Sequence, residues 1–163
     1  MHSCCGGSCE IEKPADICQR CGVRGQTVGR ETMESLLKPE ALKRLEAGTY
    51  FFDPSPDCEV VYFSNEQDSY FTKRDVRIRV GIKESEPPIP ICYCFGHTVD
   101  SARAEIQATG QSTVAARITK EIQAGKCACE AKNPSGRCCL GEVSKAVKKL
   151  FSDSEPATAL ART

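Results

Sequence analysis

Cys92-Tyr93-Cys94-Phe95-Gly96-His97-Thr98 and, further on, Cys127-Ala128-Cys129-Glu130-Ala131-Lys132-Asn133-Pro134-Ser135-Gly136-Arg137-Cys138-Cys139 decide how this chain is read. Thiols grouped as C-x-C and C-C strain any internal disulfide but suit a shared metal. Four thiolates drawn from these three sites are enough to enclose two iron ions. A 2Fe–2S cluster needs them on a compact, partly dry surface, with their negative charge offset. Helix starts supply free backbone N–H groups and a positive dipole end, which lower thiol pKa. Cys92 and Cys94 precede one predicted helix, Cys138 and Cys139 precede another, and Cys129 follows a third. Three helix ends are thereby expected to face one spot.

Cysteine accounts for 12 of the 163 residues. Secreted disulfide scaffolds are as rich, but they carry export signals. The start, Met1-His2-Ser3-Cys4-Cys5, lacks the basic segment and apolar core of such a signal, so a cytoplasmic protein is expected. No apolar run approaches the ~20 residues of a membrane span. Basic and acidic residues balance at 22 each, so no global field favours nucleic acid or an anionic membrane. Tryptophan is absent and aromatics are only 6%, which leaves a thin core of the kind that small domains reinforce with metal. There is no phosphate-binding glycine loop, no G-x-S-x-G and no H-E-x-x-H. Metal and electron handling is the expected trade, rather than enzymatic acid–base chemistry.

An α+β organisation follows from the periodicity. Residues 1–17 read as a flexible Cys-rich arm, with Gly6-Gly7 and polar neighbours. A helical pattern begins at Glu31 with Met33, Leu36 and Leu37, renews at Pro39 and stops near Gly48. Short β-prone runs follow at Tyr50-Phe51-Phe52, Val60-Val61-Tyr62-Phe63 and Tyr70-Phe71-Thr72, with 76–82 predicted as a further strand. Residues 18–84 thus form a small α/β domain. Ser85-Glu86-Pro87-Pro88-Ile89-Pro90 is expected to be a linker, since three prolines in four residues fit no helix or central strand. Residues 91–151 read as a small all-helical domain, with helices over 99–108, 114–124 and 143–151 and N-caps at Thr98 and Ser112. Residues 152–163 are expected to be a disordered tail.

Cys18-Gln19-Arg20-Cys21-Gly22 is a zinc half-site, two sulfurs on a tight turn with glycine permitting close backbone approach. Cys58 is the one later cysteine before the linker, and Asp53 stands five residues earlier across the Pro54–Pro56 turn. Cys18, Cys21, Asp53 and Cys58 complete a tetrahedral zinc set. Asp53 has a second reading as a turn aspartate bonding its own backbone. Cys4, Cys5 and Cys9, with His2, form a candidate soft-metal arm suited to Cu(I). His97 is read as a neutral, hydrogen-bonded histidine rather than an iron ligand.

The segments CYCFGHT and CACEAKNPSGRCCLGEV, over roughly 91–145, resemble the cluster domain of CopZ-type copper chaperones. That domain is itself related to the ferredoxin associated with bacterioferritin. YFFDPSPDCEVVYF is similar to the same family's zinc-domain segment, with aspartate where the family carries cysteine. The resemblance implies an amino-terminal zinc domain followed by a 2Fe–2S domain with the cluster on Cys92, Cys94, Cys129 and Cys139. Cys138 remains the alternative to Cys139, and Cys127 is spare. It implies one-electron transfer in copper homeostasis, for example Cu(II) to Cu(I) reduction, or supply to a copper chaperone domain, a copper-transport ATPase or a redox partner. The alternatives are a metal-stabilised docking module and a thiol-based metal buffer or sensor. The family's further heavy-metal domain, with its own C-x-x-C, has no counterpart in these residues, so copper delivery is not carried over.

Overall fold

A computed structural model describes residues 14–154. Cys4, Cys5 and Cys9 lie outside the described residues, as do 1–13 and 155–163. Residues 14–17 are not part of a loose arm: they form a turn, Ile17 bridges Arg24, and Asn65 Nδ2 donates to Ile17 O at 2.8 Å.

The first half is built on four antiparallel strands in the order β1 (Gln26–Val28), β2 (Tyr50–Phe52), β3 (Val60–Ser64) and β4 (Ser69–Thr72). Between β1 and β2 run two short helices, α1 (Arg30–Leu36) and α2 (Pro39–Leu42). Pro39 occupies the first turn of α2, where its missing N–H costs nothing,. Strand β3 is buried at every residue. Val61 and Tyr62 join the helix-side core with Met33, Leu37, Tyr50 and Phe71, while Val60 and Phe63 pack with Cys18 and Cys58. The register irregularity between Val60 and Tyr62 lets neighbours serve one face,. One strand thereby divides two cores.

Residues 76–82 do not form the predicted strand. Val76 makes a single bridge to Leu37, and Gly81–Lys83 is a 3-10 turn. Alternation of apolar and arginine residues there reflects an irregular segment with Val76 and Val80 tucked into the core and Arg79 Nη1 and Nη2 donating to the carbonyls of Pro88 and Glu86.

The second half opens with a hairpin of β5 (Pro90–Cys92) and β6 (His97–Thr98). Helices α3 (Val99–Thr109), α4 (Val114–Gln123), α5 (Cys129–Lys132) and α6 (Leu140–Ser154) follow. Thr98 caps α3 as expected, in a reciprocal box with Ser101, and Gly110 ends it at φ +75°,. Thr113 rather than Ser112 is the N-cap of α4. Helix α6 starts before 143 and continues to Ser154, so residues 152–154 extend it instead of beginning a tail. Ile91, Ala102, Ile106, Val114, Ile118, Val143 and Leu150 form the core together with Cys92, Cys129 and Cys139. Three sulfurs are thus core atoms.

The proline-rich segment does not hold the halves apart. Helix α1 packs on α5, Thr32 Oγ1 donates to Glu130 O, and buried Tyr62 Oη donates to Pro134 O at 2.7 Å. Gly81 N donates to Tyr93 Oη at 2.7 Å, and a Cβ on Gly81 would lie 1.9 Å from Pro90 O. Only glycine allows that approach.

Candidate metal centres

Cys18 sits in a turn closed by Gly22 N–H donating to Cys18 O at 2.8 Å, with Gly22 at φ +73°. Asp53 follows β2 directly, its N–H donating to Val61 O at 2.9 Å, and Cys58 lies across the Pro54–Pro56 loop. The structure brings the ligand atoms of Cys18, Cys21, Asp53 and Cys58 within 4.8 Å of one another. Cys18, Asp53 and Cys58 are buried, whereas Cys21 is exposed. Both readings of Asp53 hold at once, one per oxygen. Oδ1 accepts from Ser55 N at 2.8 Å, the turn bond, and Oδ2 accepts from Cys21 Sγ at 3.2 Å.

Lys83 was missed by sequence reasoning, and nothing in its surroundings along the chain signals it. Its ammonium is fully buried, 3.6 Å from Asp53 Oδ1. It also donates to Ser55 O at 2.7 Å and to Cys58 O at 3.1 Å. Burial pulls its pKa below the ordinary lysine value, with Asp53 opposing. Burial works against the Asp53 carboxylate too, yet hydrogen bonds from Cys18, Ser55 and Cys21 and the Lys83 charge hold its pKa below normal. The thiols go the other way: burial, reinforced by Asp53, pushes Cys18 up to about 12, and burial raises Cys58. A metal entering here displaces thiol protons, so its affinity weakens as the pH is lowered. Three sulfurs and one carboxylate oxygen are a donor set zinc accepts. The residues fit the ion.

In the second half, Cys139 Sγ lies 3.4 Å from Cys92 Sγ, and Cys94 Sγ lies 3.5 Å from Cys129 Sγ. The four expected cluster cysteines therefore converge as two pairs. Cys139 is buried and Cys138 exposed. Their support differs from the expected helix ends. Cys92 receives backbone N–H groups of Cys94 and Phe95 in the hairpin turn and of His97 at the start of β6, while α3 begins later and caps itself. The hydrogen bond from Cys139, against burial and with those N–H groups, brings Cys92 down to about 6. Cys139 is raised in exchange, by the same bond and then by burial. Burial lifts Cys129 to about 12. Cys129 also opens α5 rather than merely following α4. His97 pairs with Cys92 across the hairpin through its backbone. Cys127 is not remote: its sulfur lies 3.3 Å from Cys129 Sγ, and Cys94, Cys127 and Cys129 lie within 4.8 Å of one another. Four sulfurs in a largely dry pocket, with N–H groups aimed at them, are chemically suited to an iron–sulfur cluster.

No helix among the described residues is long and apolar enough to cross a membrane. A family model for the CopZ-type zinc-binding domain matches residues 15–77, a stretch that contains all four residues of the first centre. The copper chaperone CopZ of Archaeoglobus fulgidus is 37% identical over 123 residues, covering 75% of this chain and 57% of that protein. The chain thus spans little more than half the length of that relative. The X-ray structure of the Archaeoglobus fulgidus CopZ N-terminal domain superposes with a TM-score of 0.66 at 31% identity, over 79% of this chain and 95% of that domain. With the fold, the first-centre segment and nearly the whole of that domain matched, the chain belongs to the family of the CopZ amino-terminal domain.

Proposed function

We propose that this protein is a two-centre metal protein of soft-metal homeostasis, with copper as the metal handled. Zinc binds Cys18, Cys21, Asp53 and Cys58, and a 2Fe–2S cluster binds Cys92, Cys94, Cys129 and Cys139. The observation that carries the reading is the contrast between the two donor sets. The first closes within 4.8 Å, as one tetrahedral ion requires,. The second offers two pairs, at 3.4 and 3.5 Å, with Cys127 as a further thiol beside Cys94 and Cys129. Among the described residues no third cysteine, histidine or carboxylate atom lies within 4.8 Å of both Cys92 and Cys139. Two pairs of thiolates supply the four cysteine ligands that a 2Fe–2S cluster takes.

Once bound, such a cluster supplies one-electron transfer, such as reduction of Cu(II) to Cu(I), the form thiolates hold. The chain contributes a dry core around Cys92, Cys129 and Cys139 and the hairpin N–H groups that favour the Cys92 thiolate. Similarity to a copper chaperone supports partners of that kind: a copper chaperone domain, a copper-transport ATPase or a redox protein. The direct test is the visible spectrum of anaerobically purified protein before and after dithionite. A red-brown protein absorbing between about 400 and 600 nm, and bleaching reversibly, is expected. A colourless protein that gains no absorbance with iron and sulfide overturns the electron-transfer reading, leaving the zinc docking module or thiol buffer.

Lys83 has a definite part in the first centre. Three thiolates and a carboxylate leave a zinc site with excess negative charge, and the buried ammonium beside Asp53 Oδ1 offsets it. It also ties the carbonyls of Ser55 and Cys58 into one loop. Removing one member of a buried pair costs about 3–5 kcal/mol. Outer partners of ligands are worth about 10–100-fold in metal affinity. Lys83→Met is therefore expected to weaken zinc binding by about that factor, read by competition with a chromophoric chelator. Unchanged affinity removes Lys83 from the site.

A further inference from the structure

An open cleft of about 500 Å³ lies where the two halves meet. Its walls are largely apolar: Phe52, Val80 and Ile82 come from the first half, and Ile91, Pro134 and Ala146 from the second. Ile82 is 43% exposed there. Three cations also line the cleft, Arg137, Lys145 and Lys149, against one carboxylate, Glu142. Lys145 and Lys149 stand four residues apart on α6 and so share a face,. Among the described residues Arg137 and Lys149 have no ion pair, and Lys145 has a long, exposed one to Glu142 at 3.7 Å. The chain as a whole is balanced, so the positive excess is local.

The cleft is preformed. Gly81 N donates to Tyr93 Oη at 2.7 Å, Tyr62 Oη donates to Pro134 O at 2.7 Å, and Asn133 Nδ2 donates to Arg137 O at 2.7 Å. An occupant therefore meets walls that need little ordering on binding. It also lies beside both candidate centres. Phe52 and Pro54 flank Asp53, Tyr93 stands between Cys92 and Cys94, and Cys138 precedes Cys139.

We propose that this cleft docks a partner protein through a surface loop presenting an apolar side chain flanked by carboxylates. Its purpose rests on the two-centre reading, since the partner is seated against residues that adjoin ligands of both centres. The apolar walls take the anchoring side chain, and the cations take the carboxylates. A nucleic acid or an anionic membrane fits less well. Phosphates call for a continuous basic stripe, whereas here the cations border apolar walls and Glu142 sits among them.

The test uses the full zinc-loaded chain, kept anaerobic, and a fluorescent peptide, acetyl-Asp-Glu-Leu-Phe-Glu-Asp, followed by anisotropy. Binding is expected. Lys145→Glu with Lys149→Glu is expected to weaken it at least about tenfold, because like charges then face each other. Ile82→Ser is expected to weaken it about tenfold through loss of apolar contact. Both are surface changes and are expected to retain zinc and the helical circular dichroism. Cys138 is exposed and lines the cleft, so bound peptide is expected to remove most of its labelling by iodoacetamide. No binding overturns the proposal, as does equal affinity for acetyl-Asp-Glu-Ser-Ser-Glu-Asp or for a short single-stranded DNA. Unchanged affinity in the lysine double variant, or binding that leaves Cys138 labelling intact, overturns it too. Failure of the cluster reading looks different: the protein is colourless, whatever the peptide does.

Discussion

Cys18→Ala is expected to strip zinc from the protein and melt its first half at temperatures where the parent protein stays folded. Cys18 is fully buried and packs with Cys58, Val60 and Phe63 on the face of β3 away from the helices. Beyond these, Phe51, stacked on Phe63, and Tyr70 pack against that face. Around it, the Cys18–Gly22 turn and the 53–58 loop are stretches without regular strand or helix, joined through the four ligand atoms. In such a unit metal binding is folding free energy, with apparent values of about 10–16 kcal/mol for structural zinc. Native domains have only about 5–15 kcal/mol in hand. The loss is therefore comparable to the whole stability margin left to the helix-side core of Met33, Leu37, Tyr50 and Phe71. Calorimetry with a chelator-based zinc assay reads it: a single zinc lost and the lower-melting transition gone. A variant that binds zinc normally and melts as the parent does would remove Cys18 from the site.

Much of this arrangement was legible in the chain because its signals are local. The C-x-x-C turn, the strands 50–52 and 69–72, and the Thr98 cap with Gly110 depend on residues a few positions apart,. The four residues of the first centre were named from spacing, and the structure draws them together. What escaped reading depends on partners far along the sequence. Residues 76–82 alternate like a strand, but Val76 has one bridge and Arg79 turns back to the Pro88 and Glu86 carbonyls. Strand β1, three residues long, has no periodicity to detect. Lys83 gains its meaning only from a carboxylate 30 positions earlier. Prolines 87, 88 and 90 point to a stretch without helix, and the chain bends over 86–88 before β5, but that alone does not say whether the flanking halves touch. That is decided by Tyr62, Thr32 and Gly81, each an ordinary residue in its own neighbourhood.

Cys92→Ala is expected to abolish the visible absorbance while leaving zinc bound. The side chain is 1% exposed, paired with Cys139 at 3.4 Å, and in contact with the core of the helical half. Alanine removes one thiolate of the four that a 2Fe–2S cluster takes and leaves Cys139 without its partner, so the cluster is expected to be lost. The packing loss is small, about 1 kcal/mol for a group of methylene size, so α3, α4 and α6 are expected to stay assembled without the cluster. The zinc ligands come from residues 18–58, and the hydrogen bonds described above that cross to the second half involve backbone carbonyls of Glu130 and Pro134 and the hydroxyl of Tyr93. None is a cysteine of the cluster. Metal analysis should therefore find iron lost and zinc kept, with the circular dichroism of the helices largely intact. Loss of both metals together would mean one cooperative unit in place of two centres. Full retention of colour would mean that Cys127, already 3.3 Å from Cys129, takes the vacant place; substituting Cys127 as well decides that, since the double variant then bleaches.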